Sequence, residues 1–231
     1  MQKAGRRTKE LAMKNVRGII FDLDGVLVFT DKFHYQAWKE IADELGIYFD
    51  EKVNNRLRGV SRMDSLEIIL ERYHGITLTR EKKEELAAQK NNTYRELLKT
   101  MTPDDVASEV RHTLAALRER DIRLSVGSSS KNARFILERV DMLDAFDAIS
   151  DGSNITKSKP DPEVFLKAAE FMGLEPIECA VVEDAHAGID AAKAGNMLAI
   201  GIGDAGTYEK TDYRINDLSD LLEILSGEAS L

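Results

Sequence analysis

Four apolar runs, each breaking off into charged or hydroxyl-bearing residues, limit the fold more than any other feature of this chain. They are RGIIFDLDG (17–25), IRLSVGSSS (122–130), ECAVVEDAHAG (178–188) and MLAIGIGDAG (197–206). Near-continuous apolar runs of this length suit parallel strands buried on both faces, where alternation of polar and apolar residues is lost. Helical patterns separate them. In TPDDVASEVRHTLAALRERD, Thr102 is the expected N-cap, Pro103 the first helical residue, and Val106, Val110, Leu114 and Leu117 one buried stripe. DPEVFLKAAEFMG reads as a helix stopped at Gly173. Strand and helix in alternation predict an α/β fold with a Rossmann-like parallel sheet core.

One stretch, residues 31–100, carries helical patterns and no convincing strand. His34, Trp38, Ile41 and Leu45 share a face; Leu66, Ile69, Leu70 and Tyr73 share another, with Ser61 as the expected N-cap; Leu86, Lys90, Tyr94 and Leu97 make a third. The stretch is therefore expected to be an inserted all-helical cap domain, 31–100, on a core built from 15–30 and 101–231. The crossings near Thr30 and Met101 then act as the hinge. Residues 1–14 are basic without an apolar run and are expected to form a disordered leader, with Met13 as an alternative start.

Charge and apolar content narrow the partners. A net charge of −9 speaks against nucleic acid as the main partner. No apolar stretch approaches the roughly 20 residues of a membrane-spanning helix. The single cysteine, Cys179, has no second thiol to pair with, so a reducing, cytoplasmic setting is expected. No large apolar face is left over, and a monomer is expected.

The polar residues that end the runs are chemically unusual. Asp22 and Asp24 close the first run, and Glu183 and Asp184 close the third. In open α/β sheets ligands bind beyond the carboxyl ends of the strands. Four carboxylates gathered there repel one another unless a cation joins them, and a hard, oxygen-ligated ion such as Mg²⁺ fits. GSSSKN (127–132) offers three hydroxyls and successive backbone N–H groups at a strand-to-helix turn, an expected anion cradle. Lys159 follows in KSKPDP. Each piece alone has an ordinary explanation as a turn, a cap or a solvated side chain. Together, in this order and each near the end of an apolar run, they describe a phosphoryl site in which an aspartate attacks phosphorus.

FDLDGV, GSSSKN, KSKPDP and VVEDAHAG resemble the four ordered motifs of the haloacid dehalogenase superfamily of aspartate-nucleophile phosphotransferases. The resemblance implies Asp22 as nucleophile and Asp24 as general acid/base. It implies Ser128, Ser129 and Lys159 around the transferring phosphoryl group. Mg²⁺ would be held by Asp22, the Asp24 carbonyl and Asp184, with Glu183 as ligand or support.

TDKFHYQAWKEIADELGI and LRGVSRMDSLEIILE are similar to the cap of a sugar-phosphate mutase of that superfamily. That similarity implies interconversion of β-glucose 1-phosphate and glucose 6-phosphate through a 1,6-bisphosphate, so the expected partners are small sugar phosphates. Arg62 would grip the non-transferring phosphate with Ser130, Lys131 and Asn132. Arg58, Gly59, Val60, Ser61 and Arg62 would form the recognition loop. Thr30, His34 and Lys90 would couple cap closure to Asp24, and Trp38 would line the cap side. Two anion sites are needed because either phosphate of the intermediate must face one nucleophile, and an arginine fork suits the gripping site.

Three positions depart from the usual pattern: Phe29 in place of an aspartate, Arg58 in place of a lysine, and Ala185 where a serine is commoner. A phosphatase with the same core is the nearest alternative. A receiver-like signalling domain is disfavoured by the chain order of its acidic pair, and a dehalogenase has no need of Asp24 or the metal set.

Overall fold

The computed structural model describes residues 13–57 and 60–227. Arg58 and Gly59 of the expected recognition loop, and residues 1–12 of the expected leader, lie outside the described residues. Six parallel strands, β1 (Gly18–Phe21), β2 (Arg123–Gly127), β3 (Ala148–Ser150), β4 (Cys179–Glu183), β5 (Leu198–Gly201) and β6 (Tyr213–Arg214), form one sheet in the order β3-β2-β1-β4-β5-β6. The four apolar runs are β1, β2, β4 and β5. The edge strands β3 and β6 carry no such run; at three and two residues they are too short to show a period.

β1 sits between β2 and β4, so the chain leaves it in one direction for β2 and β3 and returns on the other side for β4 to β6. That reversal opens the crevice at the carboxyl ends of β1 and β4. All four residues of β1 and all five of β4 are buried. Apolar clusters cover both faces: Ile19, Phe21, Val126 and Val182 on one, Ile20, Phe165, Val181 and Ala199 on the other.

Between β1 and β2 the chain is helical: α1 (Asp31–Glu44), α2 (Glu51–Asn55), α3 (Arg62–Leu70) and α4 (Arg80–Leu98). Trp38, Ile41, Leu66, Ile69 and Leu86 make an apolar cluster of their own. Ser61 caps α3 as expected, its hydroxyl accepting from Asp64 N at 3.2 Å. The buried stripe of α4 runs Leu86, Lys90, Tyr94 and then Leu98 rather than Leu97, since two steps of four from Lys90 end there.

After Met101 the helices are α5 (Ser108–Arg118), α6 (Ala133–Arg139), α7 (Glu163–Met172), α8 (His186–Ala194) and α9 (Asp220–Ser226). Pro103 opens a short 3-10 turn, Pro103–Asp105, and not α5 itself. Val106 interrupts with extended backbone (φ −106°, ψ 122°), which turns its side chain into the core before the helix begins. Gly173 stops α7 in the left-handed conformation at φ 68°, as its position predicts.

Candidate functional site

Strand register brings the acidic groups together. Phe21 pairs with Val182, so Asp22 and Glu183, one residue on in each strand, leave the sheet at the same level. Asp22 N donates to Val182 O at 2.9 Å and fixes that level. Among the described residues, Asp22, Glu183 and Asp184 form a group whose carboxylate oxygens lie within 4.8 Å of one another. The donor set is all hard oxygen and carries up to three negative charges, which fits a divalent cation. The Asp24 carboxylate is engaged elsewhere, by the Thr30 hydroxyl.

Lys159 enters from the loop ahead of α7. Its Nζ donates to Asp22 Oδ1 and Glu183 Oε1, each at 2.5 Å, and its side chain is 2% exposed. Burial alone would lower its pKa, but the charges of Asp22 and Glu183 outweigh burial and hold the ammonium well above the usual lysine value. Glu183 Oε2 also accepts from Ala185 N at 2.9 Å, which pins the turn carrying Asp184.

Two glycines make room for this cluster. Gly25 has φ +88°, and a Cβ there would run into the Asp184 carboxylate. At Gly188, on the first turn of α8, a Cβ would strike the Glu183 carboxylate. This accounts for the glycines that end FDLDG and EDAHAG.

The cradle is partly self-satisfied. Ser128 Oγ accepts from Ser130 N at 3.1 Å and Ser130 Oγ from Asn132 N at 3.2 Å, so two of the expected anion-binding amides are paired within the loop. Ser129 Oγ is buried and, among the described residues, has no hydrogen-bond partner. A buried orphan hydroxyl is costly unless a ligand meets it, and an oxyanion suits that place. Lys131 is exposed, whereas Asn132 is buried with its amide paired to α4.

Above β1, a buried chain of contacts runs into the helical segment. Tyr94 Oη donates to Thr30 Oγ1 at 3.0 Å, and Thr30 donates to Asp24 Oδ1. Burial pushes the Asp24 carboxyl up to about 7, Asp22 adds to the rise, and the Thr30 hydroxyl opposes it. Lys90 Nζ lies 2.9 Å from His34 Nδ1, 4.3 Å from the Tyr94 ring centre and 5.1 Å from that of Trp38. While Lys90 is protonated its ammonium can only donate, so Nδ1 accepts and the imidazole proton lies on Nε2. Burial, then the nearby Lys90 and Arg62, hold His34 well below its usual value. Trp38 is 2% exposed and packs among Ile41, Leu66 and Leu86. Arg62 occupies the first position of α3, the end where the helix dipole disfavours a cation, so its charge is placed for something other than helix stability.

Lys90 gives a direct prediction. Burial, helped by Arg62 and opposed by Asp24, lowers its pKa to about 7, against about 10.4 in an unfolded chain. The unfolded state then holds a proton that the native state lacks between those values, so this group makes stability rise with pH across that window. Below about pH 7 the full penalty of a buried ammonium is present. Lys90→Met is expected to stabilise the fold by on the order of 1–4 kcal/mol at pH 6 and by almost nothing near pH 10. Thermal melts of both proteins at the two pH values test this. A variant that melts lower at pH 6 contradicts it.

Sequence reasoning treated Tyr94 as a core residue and passed over Asn91 and Arg95. Nothing in a helical stripe distinguishes an aromatic that packs from one that also donates to Thr30.

The comparisons agree with this geometry. Residues 16–196 match the family model described as haloacid dehalogenase-like hydrolase. The chain is 41% identical over 215 residues to the β-phosphoglucomutase of Bacillus subtilis, covering 92% of this chain and 95% of that one. It is 28% identical to a phosphorylated carbohydrates phosphatase of Thermotoga maritima, over 80% of this chain and 84% of that one. The crystal structure of β-phosphoglucomutase from Clostridium difficile superposes with a TM-score of 0.85 at 34% identity, covering 92% of this chain and 98% of the other. On the sheet order, the clustered carboxylates and these matches, the chain belongs to the haloacid dehalogenase-like hydrolase family.

Proposed function

We infer that this protein is a phosphosugar mutase that interconverts β-D-glucose 1-phosphate and D-glucose 6-phosphate through an aspartyl-phosphate enzyme and β-glucose 1,6-bisphosphate. The observation that carries this reading is the joining of two features at one strand end: the Asp22–Lys159–Glu183–Asp184 cluster and the Asp24–Thr30–Tyr94 chain reaching into helix α4. A simple hydrolase needs the first feature. Coupling the acid/base group to a helical cap, 31–100, suits an enzyme that must exclude water while a sugar hydroxyl attacks.

In this reading Asp22 Oδ attacks the phosphoryl group and Asp24 protonates the departing sugar oxygen. Asp24 then removes the proton from the sugar hydroxyl that takes the phosphoryl group back. A carboxyl raised to about 7 is poised for both directions of that transfer. Lys159, with Ser128 and Ser129, holds the transferring phosphoryl oxygens. Arg62, with Ser130, Lys131 and Asn132, grips the other phosphate, and the loop 58–62 reads the sugar. Asp22, Asp184, the Asp24 carbonyl and Glu183 would hold Mg²⁺, which supplies charge neutralisation at the phosphoryl oxygens. Thr30, His34 and Lys90 set Asp24 when the cap is closed, with Trp38 supporting Lys90 from the cap interior. The protein works as a monomer in the cytoplasm. Among the described residues no helix is long and apolar enough to cross a membrane.

Phosphorus NMR of β-glucose 1-phosphate with a trace of glucose 1,6-bisphosphate and Mg²⁺ tests the proposal. Glucose 6-phosphate is the expected product, and chelation of the divalent ion is expected to stop its formation. Release of inorganic phosphate without glucose 6-phosphate refutes the mutase reading in favour of a phosphatase.

A further inference from the structure

Helix α4 carries a second row of residues, one position beyond Lys90 and Tyr94, that faces the hydroxyl loop. Asn132 Nδ2 donates to Asn91 Oδ1 at 3.0 Å, and Arg95 Nη1 donates to Asn132 Oδ1 at 3.1 Å. The Arg95 guanidinium carbon lies 4.3 Å from the centre of the Phe135 ring on α6. Asn132 itself is 4% exposed.

The Asn132 contacts come at a local cost. Asn132 is the N-cap residue of α6, and asparagine is among the best side chains for closing a helix start. Here it makes no side-chain capping bond. Its acceptor and one of its donors are committed to α4 instead, 37 and 41 residues away in sequence. Arg95 also gives up hydration to lie against an aromatic face. A bond that served packing alone would not need a buried amide aligned between a neutral partner and a cation.

We propose that Arg95 is a positioning residue for phosphoryl transfer: with Asn91 it clamps Asn132, so that seating the cap helix and setting the loop Ser128–Asn132 become one event. The proposal rests on the mutase reading. The phosphorylated Asp22 can lose its phosphoryl group in two ways. A sugar hydroxyl attacks phosphorus, the Asp22 oxygen–phosphorus bond breaks, the hydroxyl proton passes to Asp24, and a sugar bisphosphate forms. Water attacks in the same manner and inorganic phosphate forms. The fraction following each route depends on how often the loop is set while the cap is open, and Arg95 couples the two.

The test measures the ratio of glucose 6-phosphate to inorganic phosphate by phosphorus NMR for wild type, Arg95→Ala, Arg95→Lys and Asn91→Ala, with kcat and KM for each. Losing a charge-assisted bond predicts a ratio lower by roughly tenfold in Arg95→Ala. Asn91→Ala is expected to lower it by a smaller factor, and Arg95→Lys, which keeps a cation and one donor, to recover part of it. A variant combining Arg95→Ala with Asn91→Ala, measured in the same way, is expected to be little worse than Arg95→Ala, because both residues act through Asn132. A purely structural role moves the melting temperature and leaves the ratio alone. An unchanged ratio in Arg95→Ala overturns the proposal, and if that variant does not fold, an unchanged ratio in Asn91→Ala does so. Wild type is the control: if it yields phosphate alone, the mutase reading itself has failed, a result distinct from either.

Discussion

Asp22→Asn is expected to remove essentially all turnover while leaving the fold in place. The substitution is isosteric, so the β1 register and the Asp22 N bond to Val182 O have no reason to change. An amide oxygen can still accept from Lys159 Nζ, and Glu183 remains as that lysine's carboxylate partner. What disappears is the anionic oxygen that forms the bond to phosphorus in the proposed reaction, together with one of the three clustered carboxylates. Loss of a covalent nucleophile has no substitute in the site, since Asp24 is occupied by Thr30 and Asp184 lies in the metal group. A fall of at least about 10⁴-fold in kcat is expected. The measurement is phosphorus NMR of the mutase reaction beside intact-protein mass spectrometry for a phosphoryl adduct. Residual turnover above about 1% of wild type, with a folded protein, would assign the nucleophile to another group.

How much of this was legible beforehand depends on the length and order of the signals. β1, β2, β4 and β5 each hold four or five residues ending an apolar run, and a parallel sheet follows from them. β3 and β6 are defined by their pairing with β2 and β5, which no local pattern encodes. The carboxylates were readable because residue type and position at a strand end point to one chemistry, and Lys159, in the loop ahead of α7, because its motif stands in order between theirs. Their meeting at 2.5 Å required the register Phe21 to Val182, which is a tertiary fact. The Tyr94–Thr30–Asp24 chain and the Arg95–Asn132–Asn91 clamp were hidden for a different reason. A tyrosine on a buried stripe and an arginine beside it look like packing and solvation until the opposing surface is known. Pro103 misled because proline suits the start of a 3-10 turn as well as that of an α-helix, and only the extended Val106 separates the two.

Lys159→Met tests a buried contact that joins the stability of the fold to the proposed chemistry. Asp22 and Glu183 are buried, and in the native chain one ammonium, itself 2% exposed, answers both of them. Removing one partner of a buried ion pair leaves charge without compensation and costs roughly 3–5 kcal/mol. For a chain of this length that corresponds to a fall in melting temperature of roughly 6–20 °C in metal-free buffer. The raised lysine pKa fixes the pH window. The ion pair contributes fully below the unfolded lysine value of about 10.4 and is lost only as pH rises through the still higher native value, so the deficit is the same at pH 7 and pH 9. A divalent ion binds the native carboxylates and not the unfolded chain, and it meets less cationic competition once Lys159 is gone. Added Mg²⁺ is therefore expected to raise the melting temperature of Lys159→Met by more than it raises that of wild type, without restoring turnover, because Ser128 and Ser129 then face the transferring phosphoryl oxygens without the cation assigned to them in the proposed reaction. Metal-free melts of the two proteins that coincide would mean that Asp22 and Glu183 do not depend on this lysine. A variant restored to mutase activity by Mg²⁺ would mean that the ammonium neutralises charge and has no further part in the reaction.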